Sequence, residues 1–187
     1  MKYIKNCLIF LSLIQSLNAF SQTIKNTADE KTKEIKWLSF MEAIEQNKQQ
    51  PKKIFIDVYT EWCGWCKTMD RTTFTNKDVA EYINKNFYAV KFDAESKDTI
   101  KFDDKVFVST DVNNKKSPHQ MAVALLNGKM GYPTAVYLDE KLNMIAPVPG
   151  YQKPNTIEPM LKFVAEEKYK TEKWEDYSKN FKNSFKE

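Results

Sequence analysis

This chain of 187 residues contains one arginine, Arg71, one histidine, His119, and three cysteines. The lack of arginine argues against a nucleic-acid surface, because such surfaces cluster guanidinium groups for bidentate contacts to phosphates and bases. The formal charge of +4 falls toward neutrality once Lys2 and Lys5 are set aside as part of a leader. A structural zinc ion needs four Cys or His ligands at workable spacing. Beyond Cys63 and Cys66 the chain offers only Cys7, inside the leader, and His119, far along the sequence, so no metal is expected. A long apolar run is also missing. Leu8 to Leu17 is interrupted by Ser12, Gln15 and Ser16 and falls short of the roughly 20 residues needed to span a bilayer.

That short run is bracketed by Lys2 and Lys5 before it and by the small-x-small stretch Ala19-Phe20-Ser21 after it. The pattern predicts an export signal over residues 1–21, cleaved before Gln22, with an uncleaved anchor as the alternative. Cys7 lacks the surroundings of a lipidation site and would be lost with the leader. The mature chain, periplasmic or secreted, would then hold only Cys63 and Cys66, with no third thiol to divert their disulfide chemistry. A polar linker follows over 22–34. The remaining length suits one domain, and 42% hydrophobic with 13% aromatic content can fill a sizeable core.

The centre of the chain is Ile54 to Thr68, I-F-I-D-V-Y-T-E-W-C-G-W-C-K-T. A β-branched run, Lys53 to Tyr59, leads into Trp62-Cys63-Gly64-Trp65-Cys66, and a helical pattern follows directly. Two thiols therefore stand at a helix N-terminus. Unpaired N–H groups and the positive end of the helix dipole favour a thiolate at Cys63, and the i, i+3 spacing brings Cys66 to the same face. Cys63 is expected to be the exposed nucleophile and Cys66 the deeper, resolving thiol. A structural disulfide is the plainer alternative, but so short a loop restrains the unfolded chain little.

Around this centre the chain reads as alternating strands and helices. Ile35 to Leu38 predicts a short edge strand, Ser39-Phe-Met-Glu42 a capping box, and Phe40 to Gln49 a helix that Pro51 stops. Thr75 or Asn76 caps a helix with Val79, Ala80 and Ile83 on one face, and Phe87 to Asp93 reads as a strand. Asp57 and Lys91 should thus lie on neighbouring strands, where a buried Asp57 could accept the proton of Cys66. Residues 94–117 turn polar, with a β-like run from Lys105, and look like an inserted hairpin that serves either a partner or nothing in particular. His119 is expected as an exposed residue at the start of a helix capped by Ser117 and Pro118. Gly128 ends that helix. A strand over Ala135 to Leu138, a turn at Asp139, an edge strand from Asn143 and a helix from Asn155 to Glu167 complete the domain. In the tail, 168–187, Trp174, Tyr177, Phe181 and Phe185 recur at helical spacing and predict an aromatic stripe docked on the domain, with a partner or membrane surface as the alternative.

The run Asp57 to Lys67 resembles the active-site segment of thioredoxins, and Gly131-Tyr132-Pro133-Thr134 resembles their cis-proline loop. Asp57 matches the family's buried aspartate, Lys91 resembles the lysine paired with it, and Gly150 resembles the glycine before the last helix. The likeness covers about residues 35–167. It departs at Gly64-Trp65, where thioredoxins carry Gly-Pro, and in the insertion. It implies an α/β thioredoxin fold, a central mixed sheet flanked by helices, with an insertion after the third strand and an extra C-terminal helix.

It further implies catalytic roles for Cys63, Cys66, Asp57 and Lys91 and a substrate-binding rim of Trp62, Gly64, Trp65, Tyr132 and Pro133. Function would be thiol-disulfide exchange with no cofactor beyond the Cys63–Cys66 disulfide. The partners would be protein disulfides or dithiols and a membrane thiol electron donor. Reduction is the expected direction, with oxidase or isomerase activity, or a non-catalytic binding module, as alternatives.

Overall fold

The computed structural model describes residues 34–186. The expected leader, and the linker up to residue 33, lie outside the described residues. The elements run β1 (Trp37–Leu38), α1 (Phe40–Gln49), β2 (Lys53–Tyr59), α2 (Gly64–Thr72), α3 (Lys77–Asn86), β3 (Phe87–Asp93), β4 (Ile100–Phe102), β5 (Lys105–Phe107), α4 (Gln120–Leu125), β6 (Thr134–Leu138), β7 (Met144–Pro149), α5 (Pro154–Ala165) and α6 (Trp174–Asn180).

Five strands form one sheet in the order β1-β3-β2-β6-β7. β1, β3 and β2 run parallel, β6 runs antiparallel to β2, and β7 runs antiparallel to β6. β2 is central and buried along almost its whole length, as expected for a strand whose neighbours lie on both sides and whose faces are both covered. Its period of two divides the core. Ile54, Ile56 and Val58 pack with Phe40, Ile44, Val90, Met121 and Val136 on the face under α1 and α4. Phe55 packs with Met69, Phe74, Ile83, Phe87, Tyr137 and Ile157 on the face under α2, α3 and α5. Asp57, two residues after Phe55, falls on that second face. Truncating a ring such as Phe55, which has no exposed surface, would cost about 3–5 kcal/mol.

Local signals explain the helix ends. Ser39 caps α1 through the reciprocal pair Glu42 N–H to Ser39 Oγ (3.3 Å) and Ser39 N–H to Glu42 Oε2 (2.7 Å), and Asn76 caps α3 by accepting from Val79 N–H at 3.2 Å.

Between β3 and α4 the insertion forms a small antiparallel hairpin, β4 with β5. Its polar arm is held from inside by Lys97, whose ammonium donates to Ser109 Oγ (2.8 Å), Asn114 O (2.8 Å) and Ser117 O (3.3 Å). His119 differs from expectation. It has no exposed surface and is itself the N-cap of α4, its Nδ1 accepting Met121 N–H at 3.0 Å. That bond leaves the proton on Nε2, which faces Asp98 O at 3.0 Å. The insertion folds back over the helix start and covers the ring, so the local pattern of Ser117 and Pro118 did not decide the cap.

The tail also differs. Helix is limited to Trp174–Asn180; Phe181 ends it and Phe185 lies beyond. Trp174, Tyr177 and Phe185 nonetheless pack on the domain's own core, Trp174 and Tyr177 against Phe163. Among the described residues no helix is long and apolar enough to cross a membrane.

Candidate functional site

β2 ends at Tyr59, and the chain turns through Thr60, where Cys63 N–H bonds Thr60 O at 3.1 Å, straight into α2. Cys63 is the N-cap, with its Sγ accepting Cys66 N–H at 3.1 Å. Cys63 and Cys66 are joined as a disulfide with Cα atoms 5.3 Å apart. A sulfur that accepts a helix-terminal N–H lies where a thiolate is stabilised once the bond is reduced. Both residues are buried, Cys63 at 5% and Cys66 at 2% exposure. The expectation of an exposed Cys63 is corrected in this oxidised form, because its sulfur is turned inward to the cap and the disulfide. The exposed groups are the flanking Trp62 (57%) and Trp65 (63%).

On the sheet face beneath α2, Asp57 and Lys91 stand opposite each other in the parallel register of β2 and β3. Lys91 Nζ donates to Asp57 Oδ2 at 2.6 Å, and it also donates to Asp70 Oδ1 from α2. The rings of Tyr59 (4.9 Å), Trp37 (5.2 Å) and Phe74 (5.2 Å) surround the ammonium. Asp57 is almost fully buried, and its Oδ1 takes no hydrogen bond from the described residues. Burial pushes its carboxyl from 3.8 up to about 6; Lys91 opposes the shift and Asp70 adds to it.

The rim is aromatic. The Tyr132-Pro133 peptide is cis, and Tyr132 meets Trp62 edge-on with centroids 6.0 Å apart. Trp62 Nε1–H donates to Glu95 Oε1 at 2.9 Å. Gly150, at φ +98°, donates its N–H to Pro133 O at 2.8 Å, a left-handed turn that favours glycine. The next residue, Tyr151, stacks on Trp65 at 5.4 Å and bonds Thr72 Oγ1 through its hydroxyl at 3.0 Å. Gly64 opens α2, and its Cβ direction is empty.

The residues expected from sequence fall into two groups: Cys63, Cys66, Trp62, Gly64, Trp65, Tyr132 and Pro133 form the thiol pair and its rim at the start of α2, and Asp57 and Lys91 form a pair linked through Lys91 to Asp70 in the last turn of the same helix. Sequence reasoning missed Asp70, Glu95 and Tyr151. Asp70 was within reach, since it follows Cys66 by four on the same helix and so shares its face. Glu95 gave no signal inside a polar stretch, and Tyr151 reads only as the residue after a glycine. Among the described residues no group of three or more His, Cys, Asp or Glu could hold a metal.

Comparison with solved structures finds the same fold. A protein described as DsbH Oxidoreductase superposes with a TM-score of 0.50 at 19% identity, over 71% of this chain and 85% of that one. A thioredoxin-fold protein from Helicobacter pylori gives 0.53 at 23%, over 69% and 79%, and a thioredoxin from Thermus thermophilus 0.52 at 14%, over 70% and 86%. At these identities the likeness establishes the thioredoxin fold. Among curated proteins, an uncharacterized protein of Caenorhabditis elegans is 30% identical over 112 residues, 59% of this chain and 13% of its own length. Spermatogenesis-associated protein 20 of Rattus norvegicus is 32% identical over 68 residues, 36% of this chain and 8% of its own. The chain thus corresponds to a small part of these relatives. The family described as Thioredox_DsbH, protein of unknown function, DUF255, matches residues 17–187; with nearly the whole chain matched, and with the fold and thiol pair described above, this chain belongs to that family.

Proposed function

We propose that this chain is an extracytoplasmic thiol-disulfide oxidoreductase that reduces protein disulfides. The observation that carries the reading is the Cys63–Cys66 pair at the N-terminus of α2, the helix whose Asp70 shares Lys91 with a buried aspartate, Asp57, that keeps one oxygen unpaired. The Cys63 thiolate attacks a substrate disulfide, and one substrate sulfur leaves as thiolate and takes a proton from solvent. Cys66 gives its proton to Asp57 and attacks Cys63 Sγ. The mixed disulfide breaks, the Cys63–Cys66 disulfide forms, and the second substrate sulfur leaves and is protonated in turn. The substrate gains two electrons and two protons. Lys91 holds Asp57 in place, and Trp62, Trp65, Tyr132 and Pro133 form the surface on which an extended cysteine-bearing segment lies.

The leader pattern of residues 1–21 supports export, and an exported reductase needs a thiol donor at the membrane to return its disulfide to the dithiol. Direction is tested by reducing insulin with a dithiol donor while titrating the Cys63–Cys66 couple. A reductase should turn over, with a potential near or below about −270 mV. A potential near about −120 mV with efficient oxidation of a reduced protein would make the chain an oxidant, and inactivity in both directions would leave a binding module.

A further inference from the structure

One cation, Lys91, serves two carboxylates on two different layers of the fold. Asp57 and Lys91 are fixed by strand register, whereas Asp70 projects from α2, the helix that also carries Cys66. Asp70 follows Cys66 by four positions, so the resolving thiol and this second carboxylate share one helix face. We propose that Asp70 is a positioning residue for the resolving step: by drawing on Lys91 from α2 it keeps Asp57 free to take the proton of Cys66. The inference rests on the reading of Asp57 as the proton acceptor.

The physical case is a division of charge. A buried carboxylate that owned the whole ammonium would be a tight ion pair and a poor base. Here the ammonium is drawn toward a carboxylate that is 41% exposed and keeps part of its hydration, and Asp57 is left with Oδ1 unpaired. The three rings around Nζ keep the ammonium between the two acceptors. The charged and titratable groups bearing on Asp57 are Lys91 from β3, Asp70 from α2 and Tyr59 from its own strand. The residue facing it on β6 is Ala135, which adds no charge.

The test is the pH dependence of mixed-disulfide release, followed by stopped flow between pH 4.5 and 9 in the full chain and in Asp70→Asn, Asp70→Glu and Asp57→Asn. The wild-type rate should rise through an acid limb near the Asp57 value and lose that limb in Asp57→Asn. In Asp70→Asn the limb should move toward acid by about one pH unit, the scale of a unit charge acting through a partly screened site, and the plateau should fall because the base is weaker. Asp70→Glu should restore the wild-type profile. An unmoved limb in Asp70→Asn, or one moved toward alkali, overturns the role of Asp70 while leaving Asp57 as the base. A wild-type profile without the limb, or one that Asp57→Asn leaves intact, removes the base and this inference with it. Asp70 is exposed enough that its variants should fold, which circular dichroism verifies.

Discussion

Asp57 on β2 and Lys91 on β3 face each other in register and meet through a 2.6 Å hydrogen bond, yet the aspartate sits in a setting that favours its proton. The sign of its effect on stability follows from that shift. Its carboxyl titrates near 3.8 in the unfolded chain and at about 6 in the folded one. Between those values the folded state holds a proton that the unfolded state has lost, so this group's contribution to stability falls as pH rises through the window. The scale is about 3 kcal/mol. Oxidised wild-type protein should therefore lose stability relative to Asp57→Asn between about pH 4 and pH 7, in urea unfolding followed by circular dichroism. Comparing the two chains cancels carboxylates with the opposite sign, such as Glu42 and Asp139, whose values are lowered. Parallel stability curves would refute the prediction.

The core and this pair were readable for different reasons. β2, β3, α1 and α3 announced themselves through period and caps, which are local properties. The strand pattern put Asp57 and Lys91 on neighbouring strands, and their pairing was implied by the resemblance to thioredoxins; the register that sets them opposite each other is a tertiary property. Lys53 illustrates what stays hidden: it opens β2 at 6% exposure, and its charge is met by Glu140 and Glu167, 87 and 114 residues away. Nothing near Lys53 foretells those partners. His119 was misread for the same cause, because its covering is supplied by Asp98 and Ala94 from the insertion and not by its own turn. The tail stripe kept its docking role but not its full helix, since tertiary contacts to Glu158 and Asp78 take over from backbone helix bonds beyond Asn180.

The thiol pair makes an asymmetric prediction. Cys63 stands at the helix cap and Cys66 one turn inside, so only Cys63 gains the full effect of the helix terminus as a thiolate. Cys66→Ser should accumulate a covalent complex with a disulfide substrate, seen on non-reducing gels, and Cys63→Ser should accumulate none. Equal trapping by both variants would mean that either sulfur can attack.

The rim makes another. Trp62 is 57% exposed and is held by Glu95 on one side and Tyr132 on the other. Glu95→Ala removes a charge-assisted acceptor worth about 1 kcal/mol at an exposed site. The insulin KM should rise roughly threefold to tenfold with kcat little changed, because the ring is repositioned and the thiols are not. Glu95→Gln, which keeps an acceptor, should recover most of the loss. A proportional fall in kcat would place the effect on the chemistry and count against this role.

Glu158 makes the most demanding prediction, because a carboxylate with no exposed surface sits in the middle of α5. It accepts Ser184 N–H at 2.9 and 3.0 Å, Phe185 N–H at 2.9 Å and Ser184 Oγ–H at 2.5 Å, and it pairs with Lys162 at 2.8 Å. Burial would raise its carboxyl, but Lys162 and the Ser184 and Phe185 donors outweigh that and hold it below the usual value of 4.5. The tail is thus fastened by a charge as well as by Phe185 against Tyr82. A chain ending at Asn180 strands that carboxylate with Lys162 alone, at a cost of about 2–4 kcal/mol, or roughly 5–12 °C in Tm. A lowered carboxyl contributes stability that is present above its unfolded value and lost as pH falls through the folded one. The cost of truncation should therefore be full at pH 7 and should shrink progressively as pH falls below 4.5, the usual carboxylate value, and Glu158 takes up its proton. Insulin reduction should be unaffected, since none of these contacts reaches the thiols or their rim. If the cost of truncation does not change from pH 7 down to the most acid pH at which the chain stays folded, the tail is held by its aromatic rings and the carboxylate contributes nothing to the fastening.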